Sequence, residues 1–252
     1  MPNHRPTDTG SAQDRRAGPR AVHRGAGTIP VPGRSACLCH DWDASLGAML
    51  LERIVPGLDL TTVHDHAERL ALAAGLASRL PVPAVQDQGF PTYSSWAARA
   101  FRRAREEGRV GPRMLFFLDM AETLLGEILE LDRPQVLLHG DLHRENILQD
   151  QGGDWKAIDP KGVLGPRCLE AGRYMLDELC MTPRPDRLRR LDGMARVFGA
   201  SLGKTGRTMA LCFFVDLILS RCWSFDEDPT PREARALVDQ CETGWAQASA
   251  LL

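Results

Sequence analysis

Between residues 135 and 159 this chain sets very short apolar runs among glycines and charged residues, and no other stretch limits the possible fold so tightly. Gln135–Leu138 is long enough for a buried strand but not for a helix, and Gly140 lets the backbone turn sharply just after it. Ile147-Leu148 and Trp155–Ile158 are two further strand-like runs joined through Gly152-Gly153, the pattern of a β-hairpin. Asp141 falls in the turn after the first strand, Asn146 at the mouth of the hairpin, and Asp159 at the end of the returning strand. The three side chains therefore converge at one end of the hairpin. An acid there can take the proton of an attacking hydroxyl, while an amide and a second acid supply hard oxygen ligands for Mg²⁺. This is the polar equipment for moving a phosphoryl group from a magnesium nucleotide to a hydroxyl.

The run His139-Gly140-Asp141-Leu142-His143-x-x-Asn146 resembles the motif of the aminoglycoside phosphotransferases, whose fold is similar to that of the protein kinases. Ala157-Ile-Asp-Pro-Lys-Gly-Val-Leu-Gly-Pro166 and Leu219-Ser-Arg-Cys-Trp-Ser-Phe-Asp-Glu-Asp228 are similar, more narrowly, to the streptomycin and hydroxyurea phosphotransferase branch. The resemblance implies an α+β, two-lobed fold that binds ATP and Mg²⁺ between its lobes. By position it makes Asp141 the catalytic base, Asn146 and Asp159 the metal ligands, and His139 a support of the loop. Protein kinases place a lysine near position 143, so His143 becomes a candidate phosphate contact, against the plainer role of orienting its neighbours. Glu170 falls where the family tends to have an acid bracing the catalytic loop. The implied substrate is a streptomycin-type aminocyclitol antibiotic, phosphorylated by direct in-line transfer, with hydroxyurea phosphorylation the nearest relative activity.

The front of the chain departs from that pattern. Residues 1–34 are rich in Pro, Gly, Arg, Thr and Ser without apolar periodicity, and the segment 1–35 is expected to be disordered or non-homologous. Ala36–Cys39 and Ala48–Ile54 read as a β-hairpin with Pro56-Gly57 as a breaker, a reduced N-terminal lobe over 36–57. Glu52-Arg53-Ile54 would then be the hinge that meets the adenine. The resemblance covers about 36–252, with 58–252 as the catalytic lobe. Upstream, a family member needs three more strands, a loop over the phosphates and a strand lysine. The lysines here are Lys156, Lys161 and Lys204, all C-terminal to that place. Nucleotide binding is thereby put in question, and an inactive, truncated phosphotransferase is the rival expectation. Lys161, two residues after Asp159, could reach the phosphates and partly compensate.

The remainder reads as helices. Thr61 or Thr62 caps one that ends at Pro81, Ser94–Glu107 is a basic helix, and Pro112–Leu131 is a third. Others are expected near 168–181, 185–201, 206–223 and 231–250, with Gly203-Lys204-Thr205 as an interhelical turn. Asp177, Glu178, Asp226, Glu227 and Asp228 form an acidic set suited to a polycationic small molecule. Net charge is −2, made of +4 in residues 1–36 and −6 beyond, so neither a nucleic acid nor an anionic membrane is an expected partner. Asp216 interrupts the most apolar run, Leu211–Leu219, and no transmembrane segment is expected. Seven scattered cysteines without framework spacing suit a reducing cytoplasm.

Overall fold

The computed structural model describes residues 35–252, apart from 44, 47, 84–88, 107–109, 132, 134 and 227–228. The expectation for residues 1–34 lies outside the described residues. The strands, in chain order, are β1 (Cys39–Asp43), β2 (Ala48–Leu51), β3 (Pro56–Asp59), β4 (Val82–Pro83), β5 (Val136–Leu138), β6 (Ile147–Asp150), β7 (Trp155–Ala157) and β8 (Val163–Gly165). The helices are α1 (His66–Arg79), α2 (Tyr93–Glu106), α3 (Pro112–Leu131), α4 (Gly172–Met181), α5 (Arg187–Leu202), α6 (Gly206–Asp226) and α7 (Pro231–Ser249). The strands make three small antiparallel sheets, ordered β1-β2, β3-β6-β7 and β4-β5-β8. This is an α+β fold, a hairpin lobe on a mainly helical one.

The hairpin starts later than its sequence suggests. Residues 35–37 leave it and lie along β7, where Ala157 N donates to Ser35 O and Cys37 N donates to Ala157 O, both at 2.9 Å. Burial explains the split, since Ala36 is 7% exposed against the core while Leu38 is 53% exposed. Pro56 does not break the chain either. It opens β3 opposite Asp150, at the edge of its sheet, where a residue without an N–H is tolerated.

Neither threonine caps α1. Asp59 captures both, accepting the Thr61 hydroxyl on its carboxylate and the Thr62 hydroxyl on its carbonyl, and so closes a 3₁₀ turn over Leu60–Thr62. Asp65 is the true N-cap, its Oδ1 accepting Glu68 N at 2.7 Å. At the other end of the lobe, α6 packs against α2, α3, α4, α5 and α7. A helix surrounded in this way is apolar all round. By length and composition α6 could cross a membrane, yet 78% of its most apolar window is buried inside the protein. Phe213, Phe214, Ile218 and Leu219, spread around it, are all buried, each contributing about 1.5–3 kcal/mol.

Candidate active site

The site is built on the loop between β5 and β6. β5 runs between β4 and β8, and its last residue, Leu138, is 2% exposed, so the loop leaves from a fixed point. Gly140 makes the turn at φ +78°, and a Cβ there would come within 2.7 Å of Val163 Cγ1. Only glycine fits that close approach without displacing β8. A 3₁₀ turn over Arg144–Asn146 then delivers the chain into β6.

His139 locks the loop from inside. It is buried, and burial pushes its imidazole down to about 4, so it is neutral at pH 7. Its partners define the tautomer: Nε2 donates to Ile158 O at 2.8 Å, and Nδ1 accepts Asp141 N at 3.3 Å. From the opposite side, Glu170 takes the N–H groups of His139 and Gly140 on separate oxygens, at 2.8 and 3.2 Å. Burial pushes the Glu170 carboxyl up to about 7, against the pull of those two donors. Glu170 therefore stands where a brace was expected.

The polar groups meet at the end of the β6–β7 hairpin. Ile147 pairs with Ala157, and Ile158 N donates to Asn146 O at 2.9 Å, which sets Asn146 and Asp159 side by side along the strand ends. Asp159 adopts φ +57°, the left-handed region, which among non-glycine residues Asp and Asn tolerate best. Lys161 Nζ lies 2.7 Å from Asp159 Oδ2 and 3.3 Å from Asp141 Oδ2. Burial opposes the charge of Lys161, but the two carboxylates outweigh it and raise its ammonium. Asn146 donates Nδ2 to Asp141 O at 3.0 Å, which leaves its amide oxygen for another partner. Among the described residues no three His, Cys, Asp or Glu cluster for a metal. An amide oxygen beside a carboxylate nonetheless fits Mg²⁺, which keeps waters and phosphate oxygens for its other positions.

The remaining expected residues divide. His143 is half-buried, its imidazole lowered by burial, and its side chain does not cap the turn it precedes. Glu52 follows β2 with Arg53 and Ile54, but its carboxylate faces inward, accepting Leu38 N at 3.1 Å and pairing with Lys156 of β7. Glu178 is no free acid: it is 3% exposed, binds Arg69 through Nε and Nη2 at 3.2 and 2.5 Å, and faces His66 Nδ1 at 3.1 Å. Asp177 is more open but holds Arg144 Nε at 2.7 Å. Asp226 ends α6, while Glu227 and Asp228 lie outside the described residues. Sequence reasoning missed Arg173, whose Nε donates to Asp141 Oδ1 at 3.1 Å. Its one signal was its place three residues after Glu170, one turn further into the helical segment that follows.

A family model for "aminoglycoside/hydroxyurea antibiotic resistance kinase" matches residues 12–227 of the chain. This protein belongs to that family. The family match extends N-terminally to residue 12, past residue 36 where the motif resemblance begins. Two relatives of the family kind are a streptomycin 3''-kinase of Klebsiella pneumoniae, 30% identical over 131 residues, and a hydroxyurea phosphotransferase of Kitasatospora aureofaciens, 34% identical over 140 residues. The matches cover 50% and 53% of this chain but only 46% and 40% of those relatives, less than half their length. A choline/ethanolamine kinase family protein from Mesorhizobium loti shares the fold at TM-score 0.63 and 12% identity, over 86% of this chain and 78% of that one. So does a thermostable mutant of the aminoglycoside phosphotransferase APH(4)-Ia in ternary complex with ADP and hygromycin B. The TM-score is 0.54 at 13% identity, over 90% of this chain and 81% of that one. The fold of this family member is thus the kinase-like one its motif implied.

Proposed function

We propose that this chain transfers the γ-phosphoryl group of ATP to a hydroxyl of a small antibiotic, of the streptomycin type, with Asp141 as base. The observation that carries the reading is the bridge made by Lys161 between Asp141 and Asp159, which brings the two carboxylates within reach of a single ammonium. Asp141 would accept the acceptor proton as the oxygen attacks in line, so no covalent enzyme intermediate is formed. Asn146 and Asp159 would hold Mg²⁺, which when bound neutralises charge on the phosphate oxygens. Lys161 would turn from the two carboxylates to those oxygens, and Glu52, Arg53 and Ile54 would meet the adenine through their backbone. Glu170 and His139 keep the loop rigid, the positioning on which this chemistry depends. A polycation would have to take Asp177 from Arg144, a fair exchange when it carries guanidinium groups of its own.

One observation favours a second reading, binding without turnover: every lysine of the sequence lies at 156 or beyond. ATP consumption by the purified chain, with streptomycin or hydroxyurea and with or without Mg²⁺, separates the two. Antibiotic- and Mg²⁺-dependent consumption supports the kinase. Nucleotide binding with no consumption supports the rival.

A further inference from the structure

Glu170 lies in the 3₁₀ turn Arg167–Ala171 that leads into α4, Arg173 and Asp177 lie four residues apart on α4 itself, and the three meet the loop in the order in which it passes. Glu170 holds His139 N and Gly140 N, Arg173 holds the carboxylate of Asp141, and Asp177 holds Arg144. The first fixes backbone; the second fixes the side chain that would do the chemistry.

Behind Arg173 stands Asp216, an acid in the middle of the core helix α6. Gly172 lets α4 settle directly on it, since a Cβ at 172 would lie 3.0 Å from both Asp216 Cβ and Cys212 O. Asp216 is 7% exposed, and its Oδ1 accepts the Tyr93 hydroxyl at 2.8 Å. Its Oδ2 is buried without a hydrogen-bond partner among the described residues. Burial pushes the carboxyl up to about 6, and Arg173 is the charge that most resists that rise. A buried carboxylate with an orphaned oxygen is costly to keep. Here it acts through charge on the guanidinium that grips Asp141, each being the strongest opposing charge on the other.

We propose that Arg173 is a positioning residue: backed by Asp216, it fixes Asp141 through Oδ1 and leaves Oδ2 as the oxygen that receives the acceptor proton. The proposal rests on the phosphotransferase reading above. In the step, the acceptor oxygen bonds to the γ-phosphorus as its O–H bond breaks, and the proton passes to Asp141 Oδ2. The bond from the γ-phosphorus to the bridging oxygen breaks, and its electron pair leaves with ADP. Lys161, 3.3 Å from Oδ2, gives up that contact to the phosphates, while Arg173 keeps its own on Oδ1.

The test uses Arg173→Ala, Arg173→Lys and Asp216→Asn in the full chain. Arg173→Ala should lower kcat ~10- to 100-fold while KM for Mg-ATP stays within about twofold, the signature of lost positioning rather than lost binding. Methylguanidinium added to Arg173→Ala should restore part of kcat, and should restore none to Asp141→Asn. Arg173→Lys, which keeps the charge in case the alanine variant does not fold, should fall between, and Asp216→Asn should lower kcat less than Arg173→Ala. A folded Arg173→Ala with wild-type kcat, or a loss that methylguanidinium leaves untouched, overturns the proposal. A wild type inert toward every acceptor sinks the kinase reading instead. In that case the stability cycle of Asp141→Asn with Arg173→Ala, which needs no substrate, still decides: additive effects refute the contact and coupling supports it.

Discussion

Removing the Glu178 carboxylate should cost about 3–5 kcal/mol of stability, because it strands a guanidinium rather than deleting a surface charge. Glu178 accepts Nε and Nη2 of Arg69 at 3.2 and 2.5 Å, faces His66 at 3.1 Å and lies 3.7 Å from Arg144 Nε. The Arg69 side chain is 13% exposed, so water reaches it poorly once the acid is gone. Each charge-assisted hydrogen bond is worth about 1.5–3 kcal/mol, yet the pair as a whole is nearly balanced by the cost of drying both ions. Glu178→Ala should therefore be severe, while Glu178→Met combined with Arg69→Met should return to within about 1–2 kcal/mol of wild type. Urea unfolding monitored by tryptophan fluorescence measures both. The pH dependence carries a sign. Burial alone would raise the Glu178 carboxyl, but Arg69 outweighs it and holds it below its ordinary 4.5, so the ionised form belongs to the fold. Its contribution is complete above about pH 4.5 and is lost as pH falls through the folded value. His66, lowered from 6.5 chiefly by burial, resists protonation and acts in the same direction. Wild type should thus weaken in acid more steeply than Glu178→Gln. A loss below about 1 kcal/mol in Glu178→Ala, or no recovery in the double variant, would refute the reasoning.

Three further outcomes are expected. Asp141→Asn should cut turnover roughly 10²–10⁴-fold with circular dichroism unchanged; unaltered turnover would remove Asp141 from the base role. Asp159→Ala and Asn146→Ala should each weaken nucleotide binding only when Mg²⁺ is present, as calorimetric titration with and without the ion reads directly. With no lysine ahead of 156, the chain should turn over slowly, and replacing the residues before Ala36 with the N-terminal lobe of a relative that carries a strand lysine should raise the rate by orders of magnitude. An ordinary kinase rate of ~1–100 s⁻¹ from the 252-residue chain contradicts that expectation.

The site was readable where its parts are local. Asp141, Asn146 and Asp159 lie on one loop and one hairpin, so glycine placement and strand-length runs suffice to bring them together. What holds that loop comes from farther along the chain: Glu170, Arg173 and Asp177 reach it across 30 to 33 residues, and behind them Arg69 and Glu178 are 109 residues apart and Tyr93 and Asp216 are 123 apart, pairings that no local pattern gives. Asp216 did leave a trace, an acid inside Leu211–Leu219, yet it reads as an interruption until α4 is seen against it. Glu178 reads as part of an acidic set for a polycation because its neighbour Asp177 is also acidic, while the fold gives the two different partners, Arg69 and Arg144. Strands β4 and β8 contain two and three residues, too few for a period of two to register. At the threonine cap two signals competed, and Asp59 won because it lies two residues ahead of Thr61 and could bond both hydroxyls.

Residues 35–37 lie along β7 rather than completing the hairpin, and the lobes are therefore geared. Two backbone hydrogen bonds to Ala157 and the Glu52–Lys156 ion pair clamp the base of the small lobe to a strand that ends two residues before Asp159. A swing of the hairpin by more than a hydrogen bond's tolerance must either shear those bonds or drag β7 with it. Any displacement of the hairpin would thus be passed through β7 to the backbone that leads to Asp159, the magnesium-ligand candidate.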